Sequence, residues 1–134
     1  MTLHLSTGGA TRGGLALPAA TGQGRETLTD DVTFSGAVLA TAEQSPNRLI
    51  YATPELTAPV HISGFVRVTL RLASSKPAAN LSVWLVQLPW TAGPISPANL
   101  ITRGWADPQN YASLTRGGNY DSKAAGAPLV PGQF

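Results

Sequence analysis

NLSVWLVQLPW (residues 80–90), followed after the turn TAGPISP by NLITRGWADPQNY (residues 99–111), is the stretch whose reading decides the fold. In the first piece Leu81, Val83 and Leu85 fall on one face of an extended chain, and Trp84, Val86 and Leu88 on the other. Apolar residues on both faces mark a central strand covered on each side. The second piece enters on Leu100 and Ile101, forms a strand over Asn99 to Ala106, and then meets Asp107-Pro108. Proline removes a ladder donor, so the strand ends there; Asp107 as N-cap and Pro108 at the first position can open one helical turn.

Working outward, Phe65 to Ser74 alternates, with Val66, Val68, Leu70 and Leu72 on one face and Phe65, Arg67, Thr69 and Arg71 on the other. That period of two predicts a half-buried strand. Arg48–Thr53 and Pro59–Ile62 read as shorter strands, bounded by Pro54 and by Ser63-Gly64. Val32 to Thr41 is open between a weak strand and a short helical turn. Thr2–Ser6 can form an edge strand, and the rest of 1–45 reads as an extended covering segment with flexible glycine loops. Pro128 to Phe134 reads as the entry to another strand. Short strands, frequent turns and no long amphipathic helix predict an all-β sandwich in a single domain over 1–134, its strands within 46–134.

Composition bounds the partners. The 134 residues suffice to bury roughly two thirds of the unfolded surface. Charged residues are only 12% of the chain, about half the usual share of roughly 25%. Either part of the surface faces another domain, or it is a plain neutral polar surface. Nine Lys and Arg against seven acids give a net charge of +2, and the basic residues are scattered. No block neutralises a row of phosphates, so nucleic acid is not an expected partner. No apolar run approaches membrane length, and the first residues lack the pattern of a signal peptide. With no cysteine, disulfides and thiolate metal sites are excluded and the compartment, cytoplasmic or secreted, stays open.

Chemistry-bearing patterns are sparse. No G-x-S-x-G elbow occurs, and Ser35-Gly36 and Ser63-Gly64 lack its context. His61 and Ser63 share a face of an apparent strand without a third orienting group, so no catalytic residue is assigned. Asp30-Asp31 point to opposite faces of an extended segment and make poor joint ligands, so no metal or cofactor is expected. The glycine pairs precede no Lys-Ser/Thr and read as loops. Among the aromatics, Trp84 and Trp105 read as core. Trp90, Tyr111 and Tyr120 could instead form an exposed sugar-stacking platform, which is the carbohydrate-binding alternative.

These residues carry a resemblance. LHLSTGGA (3–10), the LTAPVHISG stretch within 45–88, ITRGWADPQNYASL (101–114) and PLVPGQF (128–134) together resemble the C-terminal jelly-roll domain of the X-prolyl dipeptidyl-peptidase family. That architecture is shared with cocaine-esterase-like acyl hydrolases, and RGWADP favours the peptidase branch. The resemblance implies a galactose-binding-like jelly roll in a serine enzyme that removes Xaa-Pro dipeptides from peptide N-termini. The triad of that family lies in a separate α/β-hydrolase domain, and no position here matches it. The domain is then a non-catalytic accessory unit that packs on the hydrolase domain and shapes its active-site entrance. Arg103 and Trp105 are its candidate junction residues. A jelly roll uses about eight strands, more than the roughly six legible here, so the chain is expected to be an incomplete piece of the parent.

Overall fold

The computed structural model describes residues 1–19, 24–89, 100–109 and 128–133. Its elements are β1 (His4–Leu5), β2 (Gly13–Ala16), α1 (Gly36–Thr41), β3 (Tyr51–Ala52), β4 (Leu81–Val86) and β5 (Leu100–Ala106). The secondary structure is mainly β, in two small sheets. Two compact units emerge, one containing Met1–Ser63 and the other containing Gly64–Leu88 with residues 100–109 and 128–133.

In the first unit β1 pairs antiparallel with β2, setting His4 opposite Ala16 and Leu5 opposite Leu15. β2 then pairs parallel with β3, Gly13 opposite Tyr51 and Gly14 opposite Ala52. β2 lies in the stretch expected to be an extended cover with glycine loops, which corrects that expectation. Its glycines are what allow the pairing. A Cβ on Gly13 would stand 2.6 Å from both the Ser6 carbonyl oxygen and the Tyr51 ring. The strand is glycine-rich because two neighbours occupy the space of a side chain.

α1 resolves the ambiguity over Val32 to Thr41 in favour of helix. Ser35 caps it, its hydroxyl accepting from the Val38 amide at 3.3 Å, and this relieves one of the orphan donors of the first turn. Before it, Asp31 accepts from the Thr33 amide and hydroxyl at 3.0 and 2.6 Å, a local turn that feeds the cap. These bonds hold the Asp31 carboxyl below its ordinary range.

In the second unit β4 and β5 form an antiparallel ladder with an irregularity between Leu85 and Val86. The two decisive stretches therefore pair with each other. Pro108 and Gln109 follow β5 in a 3₁₀ turn, and the Gln109 amide donates to Asp107 at 2.9 Å, the capping role read from Asp107-Pro108. Pro128–Val130 is not a strand. It lies alongside residues 74–77 through Leu129 N–H to Pro77 at 2.8 Å, and Gly132 N–H reaches Ser74 at 2.8 Å.

Two further expectations are corrected. Pro59–Ile62 and Phe65–Ser74 form no strand among the described residues. Alternation shows which face wants cover, but a strand needs a ladder partner, and no described strand supplies one. Trp84 and Trp105 are not core. Trp84 is half-buried and Trp105 is 68% exposed, because a two-stranded ladder covers neither of its own faces. Among the described residues only Gly9, Gly13 and Ser45 are buried, and all three belong to the first unit.

Candidate functional site

Two clusters stand out, one in each unit. In the second, the β4–β5 register sets Trp84 opposite Arg103 and Ser82 opposite Trp105. Residues paired directly across a ladder share a face, so Trp84, Arg103, Trp105 and Ser82 project to the same side. The Arg103 guanidinium lies over the Trp105 ring, 4.9 Å from its centroid, within range of a cation–π attraction. The Trp84 indole N–H donates to Ser82 Oγ at 2.8 Å. The ladder thus brings the two expected junction residues into contact on an open face. An Arg held over a Trp keeps donor groups available for a carboxylate or carbonyl on an opposing surface, and the ring offers apolar area.

The three rings of the sugar-binding alternative, Trp90, Tyr111 and Tyr120, lie outside the described residues. His61 and Ser63 are exposed, in a segment that is not a strand. Among the described residues no three His, Asp or Glu side chains gather as metal ligands. No helix among them is long and apolar enough to cross a membrane.

The cluster in the first unit escaped the sequence. Arg48, just before β3, donates from Nε to Leu39 O at 2.9 Å. Its Nη1 donates to the carbonyls of Gly9 and Thr11, both at 3.1 Å, and of Ala10 at 3.3 Å. Its Nη2 reaches Ala42 O at 2.5 Å and Glu43 O at 3.3 Å. One cation therefore ties the β1–β2 loop to the C-terminal end of α1, where carbonyls lack helical partners and the dipole favours positive charge. Burial lowers the Arg48 pKa from its usual value; the group stays ionised throughout the physiological range.

Opposite it, Glu26 Oε1 accepts from the Gly8 and Gly9 amides at 2.8 and 2.7 Å, and Oε2 accepts from the Tyr51 hydroxyl at 2.8 Å. Partial burial pushes the Glu26 pKa up. The bonds from Tyr51, Gly9 and Gly8 outweigh it and hold the carboxyl below its ordinary range. Burial, the bond to Glu26 and its negative charge push the Tyr51 phenol up to about 12. Nothing local in the sequence marks this cluster. Arg48 and Gly9 are 39 residues apart, and the glycine pairs read as flexible loops.

The chain matches, over residues 1–134, the family model described as the X-Pro dipeptidyl-peptidase C-terminal non-catalytic domain. A Rhodopirellula baltica protein assigned as a Xaa-Pro dipeptidyl-peptidase is 56% identical over 111 residues, covering 81% of this chain and 16% of that protein. Proteins of the same assignment from Bacillus cereus and Bacillus anthracis are each 35% identical over 68 residues, covering 51% of the chain and 11% of their own length. The chain thus spans about a sixth or less of the length of these curated relatives. No solved structure matches it at a significant level.

Proposed function

The chain belongs to the X-Pro dipeptidyl-peptidase C-terminal non-catalytic domain family, and from that premise we propose that it is the accessory domain of a serine exopeptidase releasing Xaa-Pro dipeptides from peptide N-termini. It packs on the α/β-hydrolase domain of the same parent protein and shapes the entrance to that domain's active site. The chain's mainly β secondary structure supports the jelly-roll architecture that the family resemblance implies. The observation that carries this reading is the match over 1–134 to a domain class defined as non-catalytic. Trp105, 68% exposed with Arg103 over its ring, supports it, because a large exposed aromatic beside a cation suits a desolvated domain interface better than open water.

The test uses the purified chain and a separately expressed hydrolase part of the parent. The chain alone hydrolyses no Xaa-Pro amide, and it binds the hydrolase part in calorimetry or in a pull-down of the two purified proteins. Trp105→Ala weakens that binding at least tenfold, about 1.4 kcal/mol, and Arg103→Ala weakens it less. Turnover by the chain alone that a serine-reactive inhibitor abolishes refutes the accessory reading. Unchanged binding by both variants removes Arg103 and Trp105 from the interface. The carbohydrate-binding alternative draws no support from the described residues.

A further inference from the structure

Gly8 has a φ of +106°, a conformation open to glycine at little cost. The amides of Gly8 and Gly9 consequently converge on one point, the concave arrangement of successive N–H groups that receives an anion. Here the anion is the chain's own Glu26, at 2.8 and 2.7 Å. Its second oxygen is bound by Tyr51, whose ring covers the would-be Cβ position of Gly9 at 3.0 Å. The loop is held twice: a carboxylate fixes its amides, and Arg48 fixes its carbonyls from Gly9 to Thr11.

We propose that Glu26 is an acid-releasable latch on the loop between β1 and β2. Ionised, it holds the Gly8 and Gly9 amides and the Tyr51 hydroxyl together through three charge-assisted bonds. Protonated, it loses the charge that strengthens all three, and the amide side of the loop opens. The carbonyl side stays attached, because Arg48 keeps its charge at any pH that protonates a carboxylate. The ionisable groups on the segments that build the latch are His4 on β1, Arg12 in the β1–β2 connection, Arg25 beside Glu26 in the chain, Arg48 before β3 and Tyr51 on β3. Tyr51, with its phenol pushed up to about 12, remains a donor across the acid and neutral range. Arg48 stays cationic there. Glu26 is the carboxylate that the Gly8 and Gly9 amides and the Tyr51 hydroxyl contact, so its protonation acts on them directly. This inference rests on local geometry and stands apart from the accessory-domain reading.

The experiment is amide hydrogen exchange by NMR on the full isotope-labelled chain between pH 7 and pH 3, read as protection factors so that the intrinsic pH dependence of exchange is removed. Protection at Gly8 and Gly9 is expected to fall several-fold in one single-proton step below the ordinary glutamate range. Gly13, whose amide donates to Ile50 O at 2.9 Å, keeps its protection through that step. Glu26→Gln removes the step and leaves Gly8 and Gly9 at a constant level. Tyr51→Phe removes one stabilising bond and moves the midpoint up toward the ordinary range. Flat protection in the unmodified chain, or the same step in Glu26→Gln, overturns the latch. If Glu26→Gln does not fold, the Tyr51→Phe midpoint decides, and a midpoint that does not move overturns it equally.

Discussion

Arg48 shows how much one side chain can organise when its donors are all directed at backbone. Its three nitrogens serve six carbonyls on two separate segments, residues 9–11 and 39–43. Each bond nets about 1 kcal/mol, more with a charged donor, but several share a nitrogen and the group is only partly buried. Removing it leaves the α1 terminus and the β1–β2 loop to water. Arg48→Ala is expected to cost about 2–4 kcal/mol in a urea titration. Arg48→Lys should recover less than half of that, because an ammonium has three donors and cannot span both segments with a planar fork. Full recovery by Lys would mean that charge alone matters. The same cluster fixes the alkaline response. The folded Tyr51 phenol sits at about 12 against an ordinary value of about 10. Between those values the unfolded chain releases a proton that the folded one retains, so stability falls as pH rises through that window. Denaturation midpoints near pH 9 and pH 11.5 should differ for the unmodified chain, and Tyr51→Phe should shrink the difference.

At the level of elements, β2 and β3 form a pair that depends on missing side chains. A Cβ on Gly13 meets the Ser6 carbonyl and the Tyr51 ring at 2.6 Å, and the former is backbone that cannot swing aside. Gly13→Ala should therefore destabilise by about 1–3 kcal/mol, with the β1–β2 amides losing protection first; an Ala variant as stable as the parent would show that the strands separate freely. The contrast with β4 and β5 explains what the sequence made legible. NLSVWLVQLPW and NLITRGWADP carry apolar runs with clear ends, so their location and the Asp107 cap could be read locally, whereas the contact of Arg103 with Trp105 came only with the ladder. Phe65–Ser74 carries equally clear alternation and yet forms no described strand, since periodicity specifies a face and not its partner. β2 was hidden for the opposite reason, because glycine signals loop until the ring that fills its place is known. Glu26, Arg48 and Tyr51 were hidden by distance along the chain. Their pairing with loop amides and carbonyls leaves no spacing rule for a sequence to display.

For the molecule as a whole, the balance of exposed apolar surface carries the argument. Val60, Ile62, Phe65, Val66, Val68 and Leu70 are each exposed within one stretch, as are Ile101 and Trp105 on β5. Exposed apolar side chains in such number mark an interface or an association hazard. Only 12% of the residues are charged, so little electrostatic repulsion opposes association. The accessory-domain reading assigns part of this surface to the hydrolase domain, and that assignment has a consequence separable from catalysis. The chain alone should bind a hydrophobic dye and sediment as concentration-dependent oligomers. Adding the hydrolase part should lower dye binding, shift tryptophan emission to shorter wavelength and yield one species of fixed stoichiometry. Trp105→Ala should lose much of the emission change while leaving dye binding at Phe65–Leu70 largely intact, since the two patches are separate in sequence. Dye binding and oligomers that persist unchanged with the hydrolase part present would assign the apolar surface to self-association of this chain instead.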